Sequence, residues 1–167
     1  MSKAFDRVSW DFLFNLFEKI SFPPHWIQLI KECVTTVQYS VIVNEQTSDT
    51  FFPKYGLRQG DPLSSILFAL CTEALSSSLL LLQETKDIKG VSIAKNGPQI
   101  SHLPFADDSY FFIHLDNKSI HAFSSAISTF CKDCCQIINY HKSIITFSPN
   151  TPSHIKIYSL SSLGISS

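Results

Sequence analysis

The longest apolar run, Ser65 to Leu82, constrains the fold more than any other stretch of the chain. It contains Glu73 and three serines at positions 76–78, so it falls short of an uninterrupted membrane span and reads as a buried helix from about Leu63 to Leu82. Such a helix needs a core to lie in. With 167 residues, 44% of them hydrophobic and 13% aromatic, the chain can bury one sizeable core, so a single domain is expected.

On the N-terminal side of that run, Trp10, Phe12, Leu13, Leu16, Phe17 and Ile20 recur at helical spacing. Ser9 stands as a cap and Phe22-Pro23-Pro24 as a stop. A second helix carries Trp26, Ile27, Leu29, Ile30 and Cys33. Gln38 to Asn44 reads as a strand that turns at Asn44-Glu45-Gln46 and returns from Thr50 to Pro53. The segment Lys54 to Ser65, punctuated by Gly56, Gly60 and Pro62, is a loop leading into the long helix.

On its C-terminal side, Gly90 to Ala94 is a strand, Asn96-Gly97 a turn and Gln99 to Phe105 a second strand. Ser109 to Leu115 leads back, which puts Asp107 and Asp108 at a hairpin tip. An amphipathic helix from about Ser119 to Ile137 precedes a final strand, Ser143 to Ser148, and the serine-rich end from Pro152 is expected to be loosely held. The pattern alternates helices with short strands, some of them in hairpins.

Net charge is −1 and the sequence pI about 6.6, so the broad positive field of a free-standing nucleic-acid binder is missing. Five cysteines and no charged-then-apolar leader point to reduced thiols inside the cell, in nucleus or cytoplasm, rather than to a secreted disulfide framework. Cys131, Cys134 and Cys135 share a helical face, with His141 not far beyond. The flanking Phe130, Ile137 and Ile138 favour buried thiols over a zinc site.

Adjacent carboxylates between apolar arms repel each other unless a cation lies between them. A hairpin tip of this kind can be a solvated turn, or it can offer hard oxygen ligands to Mg2+, which keeps part of its shell as water or substrate phosphate.

Three segments, in order, resemble the first, second and third palm motifs of reverse transcriptases of the non-LTR (LINE-type) retrotransposon branch found in plants. They are SKAFDRVSW (Ser2 to Trp10), GLRQGDPLSS (Gly56 to Ser65) and FADDS (Phe105 to Ser109). INYHKSIITFSPN (Ile138 to Asn150) is similar to the segment that follows in that branch. The resemblance implies an α/β (α+β) fold, a polymerase-type palm with an antiparallel sheet backed by helices, over residues 1–150 and, over 151–167, a tail leading toward a thumb. Asp107 and Asp108 match the catalytic, metal-binding pair, and Phe5 the aromatic gate that occludes a ribose 2′-hydroxyl. Gly56, Arg58, Gln59 and Gly60 match the loop against incoming nucleotide and template, where bulk would hold the backbone away from the base pair. Lys142 matches a basic residue at the pyrophosphate. The implied cofactor is Mg2+, two ions in the family. The implied partners are an RNA template, a DNA primer and a deoxynucleoside triphosphate.

The chain departs from the family's first motif, Leu-Asp-Met-Ser-Lys-Ala-Phe-Asp, in beginning at its Met, which leaves out the aspartate directly before it. If this segment is an extended strand, Asp6 lies about 20 Å from that place and does not substitute for it. The expectation is therefore an N-terminally truncated palm fragment with its basic fingers and thumb elsewhere, weak in nucleic-acid binding and inactive as this chain. The alternative is a non-catalytic remnant or interaction module. Cys-Cys-Gln-Ile-Ile-Asn (Cys134 to Asn139) also replaces the family's more usual Ser-Gly-Gln-Lys-Ile-Asn, with Cys135 where a turn glycine stands.

Overall fold

The computed structural model of the protein describes residues 1, 3–95, 97–105 and 108–165. Four helices build the core. α1 (Ala4–Arg7) is a single turn, and α2 (Trp10–Lys19) starts at the expected cap, where Ser9 Oγ accepts from the Phe12 amide at 3.2 Å. Asp11 in the first turn and Lys19 in the last complement the helix dipole, and Leu13 and Phe17 are fully buried. α3 (Pro24–Thr35) opens with proline at its first position and buries no residue completely.

The long apolar run is α4 (Pro62–Glu84), capped by Asp61, whose side chain accepts from the Leu63 amide at 2.8 Å. By length and apolarity alone it could cross a membrane. Ser64, Leu67, Phe68, Cys71, Leu75 and Leu79 form a buried stripe at helical spacing, while Ile66, Leu80 and Leu81 are exposed on the other side. α2 and α5 (Asn117–Asp133) pack on α4, so Leu13 and Phe17 meet Leu67, Phe68, Phe123 and Phe130 in one cluster. α6 (Ser153–Leu163) packs on α5 and ends at Gly164, φ 66°. The expectation of a loosely held end from Pro152 is corrected accordingly: Ser159 is fully buried and its hydroxyl donates to the Ile155 carbonyl.

The strands are short. β1 (Ile42–Val43) and β2 (Gln46–Thr47) pair around Asn44 and Glu45, both at positive φ, which is the backbone of a tight hairpin turn. The pairing resumes at Tyr39 opposite Phe51, within the expected return segment. β3 (Val91–Ser92) pairs with β4 (Gln99–Ile100), and β5 (His102–Phe105) with β6 (Asp108–Phe111). Asn96 of the expected turn lies outside the described residues. Its neighbour Gly97 donates to the Ala94 carbonyl.

Two expectations are corrected here. In place of one antiparallel sheet, the described residues form three separate two-stranded antiparallel ladders. The predicted strand Ser143 to Ser148 has no ladder partner among them and follows a 3-10 turn, Tyr140–Lys142. Its side chains do alternate between half-buried and exposed, with Ile144 87% exposed, but a strand exists only where another chain segment takes up its amides and carbonyls.

Candidate functional site

The first expected segment is compact. Instead of an extended strand, Ala4–Arg7 form one helical turn, so the strand-based separation assigned to Asp6 does not apply. Three hydrogen bonds clamp the 56–57 loop onto this turn and the residues that follow it. The Gly56 amide donates to the Val8 carbonyl and the Leu57 amide to the Phe5 carbonyl, each at 2.8 Å, while Trp10 Nε1 donates to the Gly56 carbonyl at 2.7 Å.

Glycine at position 56 follows from that clamp. Its φ is 89°, and a Cβ would lie 2.7 Å from the Asp6 carbonyl oxygen. Bulk there would part the protein from itself. Gly60 differs: its φ is 86° and nothing lies within 4 Å of a would-be Cβ.

Leu57 is buried, which turns Arg58 and Gln59 outward. These two line a cavity of about 360 Å3 together with Asp6, Gly56, Tyr39 and Tyr55. The cavity pairs a cation and an amide with carboxylates and aromatic faces, a set suited to a polar, planar ligand. Phe5 and Gly60 stand beside that cavity in sequence without lining it. The Phe5 ring, half-buried, is stacked on Phe68 of α4 with centroids 4.6 Å apart.

Asp108 opens β6, exposed and opposite Phe105 in the ladder, and its carboxylate has no hydrogen bond or ion pair to any described residue. Asp107 lies outside the described residues. The arms of this hairpin are anchored by Phe111, edge-on to Phe123 of α5 at 4.9 Å, and by His102, whose Nε2 is hydrogen-bonded to Ser76 Oγ of α4 at 2.7 Å. Burial pushes the His102 imidazole below its usual range, against a weaker upward pull from Glu73. Lys142 ends the 3-10 turn, exposed. Neither Asp108 nor Lys142 lines the cavity.

The cysteines divide differently from their helical spacing. Cys134 is fully buried, whereas Cys135 lies beyond α5 at φ 59° and is exposed. The Cys71 thiol is pushed up by its hydrogen bond to Cys134 and by burial, which keeps it protonated. Among the described residues no three or more His, Cys, Asp or Glu side chains are grouped to hold a metal.

Sequence reasoning missed the roles of Trp10, Leu57, Phe68 and Gln136. Helical spacing accounts for Trp10 only through its apolar face, although an indole N–H withdrawn from water also needs an acceptor. Gln136, a lone amide in an apolar run, is buried and donates through Nε2 to the Ala4 carbonyl at 3.0 Å.

Residues 1–164 match the family described as reverse transcriptase (RNA-dependent DNA polymerase). An uncharacterized mitochondrial protein of Arabidopsis thaliana is 47% identical over 68 residues, 41% of this chain and 56% of that protein. The retrovirus-related Pol polyprotein from the type-1 retrotransposable element R2 of Popillia japonica is 26% identical over 127 residues, 76% of this chain and 20% of its own length. The transposon TX1 uncharacterized 149 kDa protein of Xenopus laevis is 29% identical over 106 residues, 64% of this chain and 8% of its own. The chain thus spans about half the length of the first relative and much less of the other two.

Proposed function

We propose, since this chain belongs to the reverse transcriptase (RNA-dependent DNA polymerase) family, that it forms the palm region of a non-LTR retrotransposon enzyme. The reaction is attack of a primer 3′-hydroxyl on the α-phosphate of a deoxynucleoside triphosphate, templated by RNA. The observation that carries this reading is the clamp of Gly56 and Leu57 onto the turn holding Phe5, which joins the first two motif-like segments into one unit.

In this reading Phe5 limits the sugar, Arg58 and Gln59 face nucleotide and template, and Lys142 meets the pyrophosphate. Asp107 and Asp108 are the residues that would hold Mg2+. The donor set suits that ion: Asp108 offers hard oxygens, is exposed, and is committed to no partner among the described residues. Mg2+, when bound, supplies neutralisation of phosphate charge and eases deprotonation of the primer hydroxyl. The protein's own share is to hold the Asp108 carboxylate on a paired hairpin braced against α4 and α5.

A second reading, a non-catalytic remnant or interaction module, draws support from the largely exposed Ile42, Ile93 and Phe105. Primer extension on an RNA template with Mg2+ or Mn2+, by a full-length retrotransposon protein that carries these residues, separates the two. Extension that falls about a thousandfold in Asp108→Ala, about 4 kcal/mol in the barrier, supports the polymerase. The absence of extension when these residues are supplied within a full-length retrotransposon protein favours the remnant. Extension indifferent to Asp107→Ala and Asp108→Ala would remove the metal assignment.

A further inference from the structure

We propose that Gln136 is a positioning residue for Phe5: its side-chain amide fixes the peptide plane that enters Phe5, and so sets where the ring stands. The inference rests on the gate reading of Phe5 for its consequence and on geometry alone for the positioning.

A residue's Cα–Cβ direction is set once the peptide planes before and after it are set, because each plane is rigid. Both planes around Phe5 are tied to distant segments. The plane before it carries the Ala4 carbonyl, which accepts from Gln136 Nε2 at 3.0 Å, across 132 positions of sequence. The plane after it carries the Phe5 carbonyl, which accepts from the Leu57 amide at 2.8 Å. With the backbone held from two sides, the ring is left to rest on Phe68.

Gln136 is itself well fixed. It is 4% exposed and follows the turn after α5, where the fully buried Cys134 accepts at its carbonyl from the Ser9 amide at 3.3 Å. Its Oε1 is buried without a hydrogen-bond partner. A buried acceptor left unpaired costs stability, and an apolar side chain of the same size would avoid that cost. The glutamine is therefore poorly accounted for as packing and well accounted for as a donor to Ala4.

The test compares Gln136→Met, which keeps volume and removes the donor, with Phe5→Ala and with Ile88→Val, a core change remote from Phe5 in sequence. Two quantities are read on the 167-residue chain: hydrogen exchange of the Leu57 amide, and the ratio of affinities for dATP and ATP in Mg2+, which differ only in the 2′-hydroxyl. Gln136→Met is expected to speed Leu57 exchange by about tenfold and to reduce the dATP preference by about fivefold, with Ile88→Val changing neither. Gln136→Glu, with the same volume and an acceptor in place of the donor, gives the same result and serves where the methionine variant does not fold. Unchanged Leu57 exchange in the position 136 variants overturns the proposal. So does an unchanged nucleotide ratio when Phe5→Ala abolishes the preference. If Phe5→Ala leaves the ratio unaltered, or the chain shows no preference to lose, the gate reading fails and the exchange result alone decides the positioning.

Discussion

The indole Nε1 of Trp10 donates to the carbonyl oxygen of Gly56 at 2.7 Å, joining the first residue of α2 to the loop before α4. The same glycine reaches back through its amide to Val8, so the loop is held through both peptide units that flank Gly56. The turn bearing Phe5 and the loop bearing Arg58 and Gln59 consequently move together.

Trp10→Phe removes the donor and keeps most of the apolar ring. The partly buried Gly56 carbonyl then loses a partner, for an expected loss of about 1–2 kcal/mol in urea denaturation. A midpoint equal to that of the parent chain would mean the bond contributes nothing.

Two glycines of one loop should respond differently to alanine. At Gly56 positive φ combines with a 2.7 Å approach to the Asp6 carbonyl, and Gly56→Ala is expected to cost about 2–4 kcal/mol. At Gly60 the φ is similar and the space open, so Gly60→Ala should cost only about 1 kcal/mol. Equal losses in thermal denaturation would contradict the close-approach argument.

Cys135 occupies a left-handed position, φ 59°, directly after Cys134, the residue that caps α5. A side chain is strained there, and helices commonly place glycine at that point. Cys135→Gly is therefore expected to stabilise the chain by about 1 kcal/mol, visible as a raised melting temperature. A lower melting temperature would show that the exposed thiol makes a contribution its geometry does not suggest.

His102 supplies a pH dependence with a definite sign. Burial lowers its pKa below the ordinary 6.5, so the unfolded chain binds a proton more readily than the folded one. Its contribution is complete above about pH 6.5 and is lost as pH falls from there through the depressed folded value. Denaturation midpoints measured from pH 7.5 to 5 should fall, and His102→Gln should flatten that portion of the curve. A stability that rises on acidification, and does so only with His102 present, would reverse the assignment.

Much of the helical framework was legible in the chain itself. Ser9 before an apolar stripe is a start signal confined to a single turn, and α2 begins where it stands; the long helix, expected from about Leu63, begins at Pro62. The hairpin around Asn44 and Glu45 was readable for the same reason, since its turn residues and its arms lie within a few positions of one another. The motif-like segments also pointed to the family that residues 1–164 match.

What the sequence did not disclose depends on residues far apart meeting. Ser143 to Ser148 alternates like a strand yet pairs with nothing described, because alternation states a preference and only a partner can satisfy the backbone. The segment before Trp10 became a helical turn where an extended strand was expected, with the loop at Gly56 and Leu57 docked against it. The link from Gln136 to Ala4 spans nearly the whole chain. Helix caps and turns are encoded in a few consecutive residues, whereas these bonds form only after the chain closes on its core, and tertiary packing then decides which buried donor finds which acceptor.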